Sequence, residues 1–168
     1  MEPHNYFYEG GCWKMGKYDL VGPCGDYCGG CGNHNGLIRQ TAVLMREFTD
    51  LYGFEFRSKG AFDFNEFLKG LEWFIDLDKC PGCHQGGGPS WCEVRKCCPE
   101  RGFRICFECD DFPCPKIEKV ADPDTEYRYQ RFLEMGFDGW VEEQVQKVEE
   151  GYEIHLQRKV ALNPSDIV

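Results

Sequence analysis

The chain has 168 residues, with 12 Cys, 20 Gly, 9 Pro and a formal net charge of −10 from 29 acidic and 19 basic residues. That length suits one domain, or one domain with an appendage. The acid excess argues against a nucleic-acid surface, because phosphate backbones are held by clustered Lys and Arg; no run approaches 18 apolar residues, so no membrane helix is expected.

Residues 1–23 read as an aromatic, Gly-rich N-terminal extension with one cysteine, Cys12. They show no basic stretch followed by an apolar run, so no signal peptide is expected and the location is read as cytoplasmic. Thiols stay reduced there, so clustered cysteines read as metal ligands or redox groups rather than six disulfides.

The first cysteine group occupies 24–31. Leu37, Ile38, Val43, Leu44, Met45, Phe48 and Leu51 then recur at near-helical spacing, predicting a helix ended by Gly53. A second helix is expected over about 64–77, capped by Asp63 or Asn65, with Phe64, Phe67, Leu68, Leu71, Phe74 and Ile75 on one face. These stripes read as core rather than as a cofactor box.

Residues 80–115 are dense in cysteine and leave little room for regular structure. Gly86 to Pro89 reads as a flexible tip, and 93–98 as a short helical turn stopped by Pro99 and Gly102. Asp122-Pro123-Asp124 opens a third helix, which carries Tyr127, Tyr129, Phe132, Leu133 and Met135 and ends at Gly136. A fourth, over about 138–150, carries Trp140, Val141, Val145 and Val148. The tail 152–162 reads either as an edge strand or as a helix extension.

The expected fold is a small α+β or mostly α protein, with cysteine-rich, metal-stabilised loops and zinc knuckles packed on about four helices. The expected organisation is one cysteine-rich zinc-binding domain over 1–168. It comprises the extension 1–23, the cysteine clusters with two inserted helices at 24–115, and a helical segment at 122–168.

Three cysteine groups carry the chemistry: Cys24, Cys28 and Cys31; Cys80, Cys83, Cys92, Cys97 and Cys98; Cys106, Cys109 and Cys114. Two cysteines three apart in a tight turn can aim both sulfurs at one point while turn amides donate to the thiolates. Thiolates are the soft ligands that zinc favours. Four ligands per tetrahedral ion would allow two or three zinc sites. Joining the knuckles Cys80/Cys83 and Cys106/Cys109 would resemble a zinc ribbon. Cys92, Cys97 and Cys114 would then surround a neighbouring site, and Cys24, Cys28 and Cys31 a third, completed by another cysteine or a histidine. His34 and His84 are near enough in sequence to serve, though each also reads as a solvated loop residue. His4 and His155 carry no signal. An iron–sulfur cluster stays open beside zinc, because Cys-x3-Cys-x2-Cys also suits cluster ligation.

The run Cys-Gly-Asp-Tyr-Cys-Gly-Gly-Cys at 24–31, Cys-Pro-Gly-Cys at 80–83, Cys92 to Cys97, and Gly102 to Cys114 resembles a cysteine-rich prokaryotic family, domain of unknown function 3795. The likeness covers roughly 22–150 and includes Glu134 to Trp140. It implies zinc binding by Cys24, Cys28, Cys31, Cys80, Cys83, Cys92, Cys97, Cys106, Cys109 and Cys114, and no particular reaction. Cys12 and Cys98 stand outside the family pattern, and the extra cysteine pair that some members carry after the last helix is missing.

The functional reading is a structural zinc-binding protein that serves as an interaction module for a protein partner. The alternative is an iron–sulfur or thiol-based redox protein. An enzyme is the less favoured class: catalytic zinc usually keeps three protein ligands and a water, often with His or carboxylate, and nearly every candidate ligand here is cysteine.

Overall fold

The computed structural model describes residues 16–160. Cys12 and His4 lie outside the described residues. The described residues form a mostly α structure with one small antiparallel sheet. In chain order, 3-10 turns at Lys17–Leu20 and Cys28–Gly30 lead into α1 (Gly32–Asn35), α2 (Leu37–Leu51), α3 (Phe54–Arg57) and α4 (Phe64–Asp76). A turn at Cys83–Gln85, α5 (Val94–Glu100), a turn at Cys106–Glu108 and α6 (Pro115–Glu118) follow. The chain closes with α7 (Thr125–Glu149), β1 (Tyr152–Glu153) and β2 (Arg158–Lys159).

The helix signals in the sequence operate locally. The Asp63 carboxylate accepts the Asn65 and Glu66 N–H groups at 2.9 and 3.1 Å, satisfying two orphan donors of α4. The third and fourth predicted helices are both present within α7 and meet at a kink at Gly136, whose φ of 70° and ψ of 179° only glycine adopts readily. The predicted turn at 93–98 is α5, which continues through Pro99 to Glu100. A proline in the last turn of so short a helix removes one hydrogen bond and leaves the rest intact. The tail is a strand pair, Tyr152 opposite Lys159 and Glu153 opposite Arg158.

The main core joins three parts of the chain. Val21 and Tyr27 from the first loop, Ile105 and Phe107 from the third cysteine group, and Trp140 and Val141 from α7 bury one another. Tyr129, Phe132, Met135, Val145 and Val148 close over them. Fully burying each large apolar side chain contributes about 1.5–3 kcal/mol. A second cluster of Cys92, Val94 and Ile117 packs with Cys24, Cys106 and Cys114, so several cysteines are themselves core residues.

On α7, Tyr129, Phe132, Met135, Trp140, Val141, Val145 and Val148 pack as expected, whereas Tyr127 and Leu133 stand exposed. The stripes on α2 and α4 do not pack as expected. The two helices pack chiefly on each other, and only Leu37, Ala42 and Thr49 of α2 and Leu71 of α4 are buried. Helical spacing marks a face as apolar without saying what covers it. In a two-helix hairpin each helix can offer the other one narrow stripe, and the rest of the apolar face is left outside.

The hairpin returns to its starting point. The Cys80 N–H donates to the Asn33 carbonyl at 3.0 Å, and the Lys79 side chain passes over Gly36. Cys31 and Cys80 therefore stand at its two feet.

Candidate metal centre

The cysteines gather in two places. Cys24, Cys28, Cys31, Cys80, Cys83 and Cys92 line a groove of about 960 Å³ at the feet of the hairpin. Cys97, Cys98, Cys106, Cys109 and Cys114 surround a pocket of about 20 Å³ between α5 and the third knuckle. No disulfide joins any of the eleven described cysteines.

Local turns build the first group. Cys31 N–H bonds Cys28 C=O at 3.0 Å, closing the Cys-x2-Cys turn. The Asp26 N–H donates to the Cys24 sulfur, although burial pushes that thiol well up. The second knuckle is held by the loop behind it. A Cβ at Gly87 would meet the Cys80 sulfur at 2.6 Å, and one at Gly88 the Cys83 sulfur at 3.2 Å. The glycine tip is thus wrapped against the sulfurs.

The two knuckles touch. The Cys83 side chain meets the Cys28 side chain and holds Cys28 low, at about 6, with further help from the Cys83 backbone N–H. The same contact pushes the Cys83 thiol up.

Two histidines join this group. His34 Nδ1 lies 2.7 Å from the Cys80 carbonyl, which can only accept, so Nδ1 carries a proton and donates it there. His155 stands on the turn between β1 and β2, and the turn is pinned to the first knuckle. Ile154 N–H bonds Gly30 C=O at 3.1 Å, the Glu153 carboxylate accepts Gly32 N–H at 2.9 Å, and Ile154 fills the space a Cβ at Gly30 would need. This docking brings His155 to Cys31, whose sulfur holds the imidazolium up to about 9. His84 lines neither pocket.

In the second group, the buried Cys98 thiol donates to the Phe103 carbonyl at 3.4 Å, and its sulfur lies against Cys106, a contact that lowers Cys98 and raises Cys106. Lys116 lies beside Cys97, and Arg101 lies near Cys97 and Cys109 while pairing with Asp111 at 2.7 Å. Cys106 N–H bonds Pro23 C=O at 2.8 Å, and Phe107 packs so tightly on Gly25 that a Cβ there would meet its ring at 2.3 Å. The two groups are therefore anchored to each other, with Cys24 and Cys92 between them.

This grouping differs from the expected one. Cys80/Cys83 meets the first knuckle, not Cys106/Cys109, because the hairpin folds its feet together. Cys97 and Cys114 lie with the third knuckle, while Cys92 faces the groove. Cys98, set aside on sequence, lines the second pocket together with its neighbour Cys97. His155 was given no role on sequence. Its signal was the alternating tail, which becomes readable only once that tail is known to be a strand turn.

Among the described residues, no three His, Cys, Asp or Glu side chains already converge as a finished metal shell. The residue types are nevertheless those a soft divalent metal takes: cysteines in Cys-x2-Cys turns, two places where cysteine side chains meet, and a histidine whose Nδ1 faces a carbonyl.

A family profile described as Protein of unknown function (DUF3795) matches residues 20–119. The chain belongs to this family. Within this DUF3795 protein the match takes in both cysteine groups and the hairpin, and stops before α7 and the strand pair that carries His155. No curated protein and no solved structure matches the chain.

Proposed function

We propose that this DUF3795 protein is a structural zinc-binding protein that works as an interaction module for a protein partner. The carrying observation is the meeting of the knuckles Cys28/Cys31 and Cys80/Cys83 at the feet of the α2–α4 hairpin. One zinc ion held by these four cysteines closes the hairpin at its base. A second is held among Cys97, Cys98, Cys106, Cys109 and Cys114, with Cys24 and Cys92 between the two sites. Shells filled by thiolates leave no open position for substrate, which is the pattern of structural rather than catalytic zinc. Metal binding is then coupled to folding in a reducing, cytoplasmic setting.

Treatment with a strong chelator under reducing conditions tests this. The protein should lose helical signal and release zinc together. Unchanged folding after complete metal removal would refute it.

The iron–sulfur reading is favoured by one observation: six cysteines face the wide groove, more than one ion needs. A brown protein absorbing near 400 nm would support that reading against zinc.

A further inference from the structure

Fourteen large apolar side chains stand exposed among the described residues, and nine of them fall between Ile38 and Phe74, on the α2–α4 hairpin. Leu51 is 77% exposed, Phe56 81% and Trp73 61%. The surface is built rather than frayed. Ring pairs Phe48–Tyr52, Tyr52–Phe54, Phe62–Phe67 and Trp73–Phe74, with centroids 4.9–6.3 Å apart, hold the side chains against one another.

The size of the face indicates what covers it. Aromatic side chains bury about 150–250 Å² each, so nine large apolar residues at these exposures offer on the order of 1,000 Å². The largest apolar patch on an ordinary monomer is about 300–600 Å². A stable protein–protein interface takes about 800 Å² from each partner. One hairpin face therefore supplies one side of a standard interface.

The charges also suit a second copy. The whole chain carries −10, yet over 37–76 the five basic residues nearly offset the seven acidic ones, and on α2 Arg39 and Arg46 balance Glu47 and Asp50. Two copies that meet through the hairpin therefore oppose only a small excess of like charge. Two antiparallel helix pairs brought face to face form a four-helix arrangement, and a two-fold axis closes it with the same patch on both sides.

We infer that two copies of this chain pair through the apolar faces of their α2–α4 hairpins. This rests on the interaction-module reading and names the partner.

The test is light scattering coupled to size exclusion on the full-length protein as purified, with bound metal measured on the same sample. The wild type should run at twice the 19.5 kDa chain mass. Leu51→Glu and Phe56→Glu, both at exposed positions, should each weaken pairing at least about tenfold while helical signal and metal content stay unchanged. A metal-loaded wild-type monomer overturns the inference and leaves the metal reading standing, including the case in which residues 1–15 of the same chain, another protein or a lipid surface covers the face. A dimer that persists in the Leu51→Glu, Phe56→Glu double variant overturns it as well. A dimer lost in the variants but holding no metal supports the pairing and removes the zinc reading.

Discussion

The Cys83 side chain meets the Cys28 side chain although the entire α2–α4 hairpin separates them in sequence. This contact turns a long excursion of chain into a closed loop. An ion at the same place would close it more firmly, and the return is entropic: constraining a loop of roughly fifty residues in the unfolded chain is worth about 4 kcal/mol in the chain-entropy treatment of cross-links.

Cys28→Ser and Cys83→Ser should therefore each lower stability by several kcal/mol, and each variant should respond less to chelator than the wild type does. Urea midpoints with and without chelator measure both effects. A wild-type midpoint that chelator leaves in place would count against closure by metal.

Gly25 offers a test of how the two cysteine groups are joined. Its φ is 92°, and a Cβ would press on the Phe107 ring. Gly25→Ala should cost on the order of 2–4 kcal/mol, from strain and overpacking together. Gly60 also has positive φ but faces open space, so Gly60→Ala should cost only about 1–2 kcal/mol. Equal losses at the two positions would mean that the Phe107 contact carries no energy.

Arg128 ties the first loop to the start of α7. Its nearly buried guanidinium bridges Asp26 and Asp122, each at 3.0 Å. Burial alone would raise the Asp122 carboxyl, but its hydrogen bond and ion pair with Arg128 bring it below the ordinary 3.8. A depressed carboxylate contributes stability above its unfolded pKa and loses that contribution as pH falls through the folded value. Arg128→Met should thus destabilise by about 3–5 kcal/mol at neutral pH, because it leaves two neighbouring carboxylates without their shared cation. The gap between variant and wild type should narrow as pH drops below about 4. Denaturant midpoints across that range measure it, and a gap that stays constant would contradict the role given to the ion pair.

The sequence was most readable where structure is local. Periodic apolar residues located α2 and α4, Asp63 marked the cap, and Gly136 marked the break in α7. The Cys-x2-Cys turns were legible for the same reason, since three residues suffice to define them. What could not be read was which knuckle meets which, because hairpin closure decides it and no local signal encodes it. Cys98 gained its place by touching Cys106 across a pocket, and His155 by the docking of Ile154 on Gly30. The apolar faces of α2 and α4 misled in the opposite direction: their periodicity was right and the inferred burial was not.

The most direct test of the central claim is metal analysis of protein purified without oxygen, combined with its visible absorption. About two zinc ions per chain and no colour are expected from two thiolate shells of four. Stoichiometric iron with acid-labile sulfide, or a folded protein free of metal, would contradict it.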